Sequence, residues 1–209
     1  MSNYLDDISS ERNPLLQEME QFAKEKNIPI MELNGIDTML HFMKIGNVKS
    51  ICEIGTAIGY SALRMVSALP GSTICTIERD LERYELARKY ISRSNNAKQI
   101  SIIFGDALED EDKVAKSAPF DALFIDAAKG QYQRFFEIYE KYVVPGGIIF
   151  TDNVLFKGLL EEKIEVIESK RTRQLVTKIA RFNDWLIKNE NYETVIIPTG
   201  DGLAVSIKK

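Results

Sequence analysis

The sequence predicts an α/β fold, a doubly wound and mostly parallel sheet of seven strands closed by a C-terminal antiparallel hairpin, and three observations carry that prediction. Short apolar runs alternate with amphipathic stretches of helical period through most of the chain. The alternation breaks near the end, where a long helical pattern precedes two apolar runs joined by Thr199-Gly200-Asp201-Gly202, a hairpin signal. Small or acidic residues, Gly55, Glu78, Asp106, Asp126 and Asp152, follow the apolar runs at the edge where open α/β sheets bind ligands.

Taken in order, Pro14 to Lys26 reads as a helix with a polar outer side, and Asn34 to Ile45 as a second with Ile36, Leu40 and Met43 turned inward. Ser50 to Ile54 is a short strand, Tyr60 to Ala68 a helix, and Pro70-Gly71 the turn into a strand over Thr73 to Ile77. Leu81, Tyr84, Ala87 and Ile91 mark the next amphipathic helix. Strands over Ile100 to Phe104, Ala122 to Ile125 and Ile148 to Thr151 continue the set, with helices over Glu109 to Ala115 and Gln131 to Tyr142 between them. Helix Arg171 to Asn189 leads into the hairpin strands Tyr192 to Pro198 and Leu203 to Ile207. With 209 residues and no repeat or linker, the chain reads as one domain, 1–209.

Composition excludes several classes. Hydrophobic residues at 44% and charged residues at 28% suit a soluble globular protein, and no apolar run approaches the roughly 20 residues of a membrane span. Met1 to Asp7 has neither a basic patch nor an apolar signal core, so a cytoplasmic location is expected. Cys52 and Cys75 fall in buried strands, where a thiol behaves as a small apolar group. A net charge of −4 argues against a surface built wholly for nucleic acid but leaves room for a local basic face. His41, the sole histidine, lies on a helix and reads as structural.

The loop Glu53-Ile54-Gly55-Thr56-Ala57-Ile58-Gly59-Tyr60 turns from strand to helix, and glycine there lets the backbone approach a ligand closely. It is neither G-x-G-x-x-G nor a P-loop, which weakens a dinucleotide or triphosphate reading. Glu78, ending the second strand, stands where an acid grips ribose hydroxyls; a solvated strand end is the plain alternative. Asp106 either borders a ligand or caps the following helix. Two acidic stations follow, Asp126-Ala127-Ala128-Lys129 and Thr151-Asp152-Asn153. Asp126, Asp152 and Asn153 offer only hard oxygen donors, which suit Mg²⁺, Mn²⁺ or Ca²⁺, and Lys129 stands beside them as a candidate base. A dinucleotide oxidoreductase would leave Asp152-Asn153 unexplained, and a non-enzymatic binder would leave Lys129 unexplained.

These residues carry a resemblance. From Pro29 onward, through Glu53 to Met65, Phe124 to Lys129 with Tyr132, and Thr151 to Gly158, the chain resembles the cation-dependent O-methyltransferases that use S-adenosylmethionine, the family of catechol and caffeoyl-coenzyme A O-methyltransferases. The resemblance implies the class I, Rossmann-like methyltransferase fold, with the helices of 1–46 packed over the cofactor and acceptor side. It implies that Met31, Gly55 and Ser61 line the cofactor, that Glu53 faces its amino-acid end, that Glu78 holds the ribose, and that Asp106 and Ala107 flank the adenine. Asp126 would serve both cofactor and metal, Asp152 and Asn153 would complete the ligands, and Lys129 would be the base. A homodimer is expected by the same likeness.

Methyl transfer needs a deprotonated oxygen in line with the sulfonium, and three protein ligands leave room for an acceptor that chelates through neighbouring oxygens. Catechols and 5-hydroxyuridine both qualify. The short N-terminus and the length resemble the bacterial tRNA 5-hydroxyuridine methyltransferases within the family. Catechol-type members place a tryptophan just before the lysine, where this chain has Ala128; its one tryptophan is Trp185. Lys170 to Arg181 carries five cations and no acid after the acidic stretch Glu161 to Glu168, reading as a solvated, salt-bridged face or as an edge that tracks the phosphates of a tRNA anticodon loop. The acceptor is therefore expected to be tRNA, with a small vicinal-oxygen molecule as the alternative. Tyr132, one helical step past Lys129, supports the site or merely packs.

Overall fold

Seven strands form one sheet in the order β3-β2-β1-β4-β5-β7-β6 in the computed structural model, which describes residues 12–156, 158–160 and 167–209. The N-terminal stretch Met1 to Asp7, Lys157 and most of the acidic stretch, 161–166, lie outside the described residues. β1 (Ser50–Ile54), β2 (Thr73–Glu78), β3 (Ile100–Phe104), β4 (Phe120–Ile125) and β5 (Val143–Asp152) are mutually parallel. β6 (Tyr192–Ile197) and β7 (Leu203–Lys208) pair antiparallel, and β7 adds antiparallel to β5 with Asp152 opposite Leu203. This is the doubly wound sheet with a terminal hairpin that the alternation predicts, and it matches the Rossmann-like methyltransferase fold that the resemblance implies.

Strand period divides the core. Ile51, Ile74, Phe124 and Phe150 point to a layer that includes α1 (Pro14–Lys26), α2 (Leu33–Ile45), α3 (Tyr60–Ala68) and α4 (Leu81–Ser92). Cys52, Ile77, Leu123 and Ile149 face the other layer, with α5 (Glu111–Ala115), α6 (Tyr132–Tyr139) and α7 (Lys170–Lys188). Strands buried on both faces read as continuous apolar runs, which is why β1 and β4 were visible in the sequence. β5 is longer than the Ile148–Thr151 run because Val143 pairs with Phe120 across an irregular register. α6 is shorter than Gln131 to Tyr142, because one turn of 3₁₀ helix lies at each end, Lys129–Gln131 and Glu140–Tyr142.

Helix starts obey capping chemistry. Asn13 accepts from the Leu16 N–H at 3.0 Å just before Pro14, and Asp80 accepts from Arg83 N–H at 3.0 Å. A polar chain fixes α1 and α2 onto α3: Arg12 donates to Glu20 at 3.0 Å, the Tyr60 hydroxyl donates to Glu20 at 2.6 Å, and Arg64 donates to both Tyr60 and Asp37. His41 donates along its own helix to the Asp37 carbonyl at 2.7 Å, which accords with a structural role. Among the described residues no helix is long and apolar enough to cross a membrane.

Candidate active site

The sheet reverses its order between β1 and β4, and a cavity of about 630 Å³ opens at the carboxyl ends there. Its walls include Met31, Gly55, Glu78, Asp106, Ala107, Asp126, Lys129, Asp152 and Asn153, so nine of the residues singled out from sequence meet in one space. Ser61 and Glu53 do not line it. Glu53 is fully buried one layer beneath, on the α3 side of β1, where it accepts from the Ser61 hydroxyl and from Thr76 Oγ1 at 2.5 Å. Burial pushes its carboxyl up to about 7, against the two hydroxyl donors that favour the charged form.

Two glycine-dependent contacts shape this half. A Cβ at Gly55 would stand 2.1 Å from the Asp126 carbonyl oxygen, and its φ is +100°. The glycine therefore serves the close approach of the β1 and β4 loops as well as ligand access, and it sets where Asp126 stands. At Gly105 a Cβ would meet the Asp110 carboxylate at 2.5 Å. That carboxylate accepts from Asp106 N–H at 2.9 Å, while Asp106 accepts from Leu108 N–H at 2.9 Å; Asp106 thus closes the turn before the helix while lining the cavity, and the helix-cap position itself falls to Asp110. Glu78 is more than a solvated strand end: its two carboxylate oxygens accept from Ala57 N–H and Asp80 N–H, each at 2.9 Å, tying the glycine loop to β2.

The opposite wall is crowded with charge. Lys129 donates to Asn153 Oδ1, and Asn153 Nδ2 donates to Asp152 Oδ2 at 2.8 Å. Asn153 has a left-handed φ of 60°, a conformation asparagine tolerates, and this turns its side chain back toward Asp152 as the chain leaves β5. Tyr132 is buried and its hydroxyl donates to the Asp152 carbonyl at 2.8 Å; it supports the site rather than merely packing. Burial raises the carboxyls of both Asp126 and Asp152, and the Asp152 carboxyl is raised further by Asp126. The Asp126 carboxylate makes no hydrogen bond or ion pair among the described residues.

These facts decide whether a dication suits the place. Among the described residues no three His, Cys, Asp or Glu side chains gather as a metal cluster. A cation would rely on Asp126, Asp152 and the amide oxygen of Asn153, a hard all-oxygen set. A buried carboxylate, Asp152, and a half-buried one, Asp126, whose charges repel while, among the described residues, Lys129 alone offsets them, are what a dication relieves. The residues fit.

Several wall residues escaped the sequence reading. Glu32 and Gly35 approach from the start of α2, Arg79 and Arg83 from the start of α4, Phe135 from α6, and Asp201 from the β6–β7 turn. The turn signal that identified the hairpin gave no hint that Asp201 faces a cavity formed by distant strands. The basic segment divides: Arg173 donates to the Ile167 and Glu168 carbonyls at 2.5 and 3.2 Å, while Lys170, Arg171, Lys178 and Arg181 make no ion pair among the described residues. Lys178 comes within 3.6 Å of where a Gly130 Cβ would stand, which sets α7 against the turn that carries Lys129.

Comparison with known proteins agrees with the geometry. Residues 6–209 match the protein family described as O-methyltransferase. The chain is 32% identical over 169 residues to a catechol O-methyltransferase of Niastella koreensis, covering 77% of this chain and 74% of that protein. It is 30% identical over 183 residues to a caffeoyl-CoA O-methyltransferase of Populus kitakamiensis, covering 86% and 77%. Among solved structures, a candidate caffeoyl-CoA O-methyltransferase from Staphylococcus aureus superposes with a TM-score of 0.93 at 37% identity, covering 99% of this chain and 98% of that one. An O-methyltransferase from Bacillus cereus in complex with S-adenosylhomocysteine gives 0.82 at 25% identity, covering 99% and 96%.

Proposed function

The chain belongs to the O-methyltransferase family, and on that premise we propose that it moves a methyl group from S-adenosylmethionine to a hydroxyl with a second oxygen beside it, at a site that also takes a divalent cation. One observation carries this reading: a continuous cavity is walled on one side by the Gly55 loop and Glu78 and on the other by Asp126, Lys129, Asp152 and Asn153. Its volume lies within the roughly 300–1,000 Å³ of small-molecule sites.

The cofactor, when bound, supplies a methyl group already activated by sulfonium charge, and the cation, when bound, acidifies an adjacent hydroxyl. The protein's part is placement. Glu78, held by two amides, presents its remaining lone pairs to ribose hydroxyls, with Asp106 and Ala107 beside the adenine and Met31 closing over from the α1–α2 link. Glu53 acts beneath, holding Ser61 and Thr76 under the loop. Asp126, Asp152 and Asn153 would hold the cation through their side-chain oxygens, and Lys129 would take the acceptor's proton.

The acceptor we infer is 5-hydroxyuridine at the tRNA wobble position, giving 5-methoxyuridine, because O5 beside O4 satisfies the two-oxygen requirement. Exposed Lys170, Arg171, Lys178 and Arg181 line the helix packed against the Lys129 turn, where an anticodon loop would arrive, and Ala128 leaves the mouth without a bulky wall. The names of the Niastella and Populus relatives favour a second reading, a catechol-like or caffeoyl-CoA-like acceptor. Nucleoside mass spectrometry of tRNA from cells lacking the protein separates the two. Accumulated 5-hydroxyuridine with lost 5-methoxyuridine supports tRNA, and an unchanged profile, with catechol turned over in vitro, supports the small molecule.

A further inference from the structure

We propose that Asp201, on the turn between β6 and β7, is a positioning residue of the cation site, raising the affinity for a dication from outside the ligand set. The inference rests on the cation reading above and adds to it a residue that neither the family likeness nor the strand-end pattern assigns.

Three observations point the same way. The turn is fastened to the ligand loop: Val154 N–H donates to the Gly202 carbonyl at 3.0 Å, and Leu155 and Phe156 N–H donate to the Asp201 carbonyl at 2.9 and 3.1 Å. Gly202, at φ +90°, leaves no room for a side chain, since a Cβ there would meet Leu155 Cγ at 2.5 Å and its backbone nitrogen at 2.7 Å. Asp201 is thus carried at a fixed place relative to Asp152 and Asn153, and it lines the same cavity.

Its carboxylate has no structural employment. It is half-buried, yet among the described residues it makes no hydrogen bond and no ion pair, so it does not cap the turn that holds it. It shares the wall of one cavity with Asp126, Lys129, Asp152 and Asn153. It does not join Asp126 and Asp152 in a three-acid cluster, so its action is through space or through water on the cation.

The test uses the full-length protein without cofactor, titrated with Mn²⁺ by electron paramagnetic resonance and calorimetry. Asp201→Asn, which keeps the shape of the side chain and the backbone carbonyl, is expected to bind Mn²⁺ about tenfold more weakly, as loss of a supporting partner usually does. Asp201→Glu is expected to recover most of that loss, and the melting temperature without Mn²⁺ should match wild type in both variants. Wild-type affinity in Asp201→Asn would overturn the proposal. Should Asp201→Asn fold poorly, Asp201→Ser decides: Mn²⁺ binding weakened about tenfold supports the role, and wild-type affinity overturns it. If the wild-type chain itself takes up no Mn²⁺, the cation reading fails, and this inference with it.

Discussion

The two walls of the cavity solve opposite problems. On the β1–β2 side the acids are hydrogen-bonded: both oxygens of Glu78 accept amides, Asp106 accepts from Leu108 N–H, and beneath the wall Glu53 accepts two hydroxyls. On the β4–β5 side the carboxylates of Asp126 and Asp201 accept no hydrogen bond among the described residues, Asp152 is raised by burial and then by Asp126, and Lys129, the cation acting on Asp126, bonds to the Asn153 amide. The first wall is complete by itself and fits a neutral, hydroxyl-rich ligand portion. The second is incomplete and fits an arriving positive charge. Local hydrogen bonding thus prepares one half of an active site, while electrostatic demand prepares the other.

The sharpest way to break this contrast is Asp152→Ala. Turnover should fall by more than about 10⁴-fold, because acidification and alignment of the acceptor are lost together. Cofactor affinity measured by calorimetry should stay within about threefold, since the completed wall is untouched. Near-normal rates would dissolve the distinction between the walls. Lys129→Met comes next, with a loss of about 10²- to 10⁴-fold in kcat and a flattened pH–rate profile. Retention of the wild-type profile would assign the proton transfer elsewhere.

Glu53 tests the claim from the other side. Its folded-state carboxyl is raised from 4.5 to about 7, so the fold takes up its proton more readily than the unfolded chain does. The contribution of Glu53 to stability is therefore fully present below about pH 4.5 and is lost as pH rises through about 7, by about 3 kcal/mol in all. Urea unfolding at pH 5 and pH 8 should show that loss in wild type and its absence in Glu53→Gln. Equal slopes in both proteins would mean that the hydroxyls of Ser61 and Thr76 neutralise the cost of burial. The smallest effect concerns the acceptor edge. Arg171→Glu with Lys178→Glu should lower the rate on tRNA about fivefold at low salt and reduce the salt slope by about 1.4, given roughly 0.7 per phosphate contact on single strands. A catechol substrate should be unaffected by the same pair.

Legibility followed the range of the forces involved. β1, β4 and the hairpin were readable because doubly buried strands and tight turns write themselves into short stretches of sequence. Gly55 was readable as a glycine with a purpose, but its partner, the Asp126 carbonyl, is 71 positions away in the sequence, and no local pattern records that contact. Asp126, Asp152, Asn153 and Lys129 converge as their residue types suggested. Asp201 was hidden because turn chemistry already accounted for the residues around it. The five cations of Lys170 to Arg181 looked equivalent in sequence; the fold spends Arg173 on two backbone carbonyls and leaves four others outward.

The lone indole of the chain has a use that its position makes available. Trp185 stacks on Phe182 at 5.9 Å, Phe182 touches Tyr132 at 5.5 Å, and the Tyr132 hydroxyl grips the carbonyl of Asp152. A shift of that strand end would therefore reach a fluorophore through two ring contacts, and the emission of the unlabelled protein is where such a shift would be read.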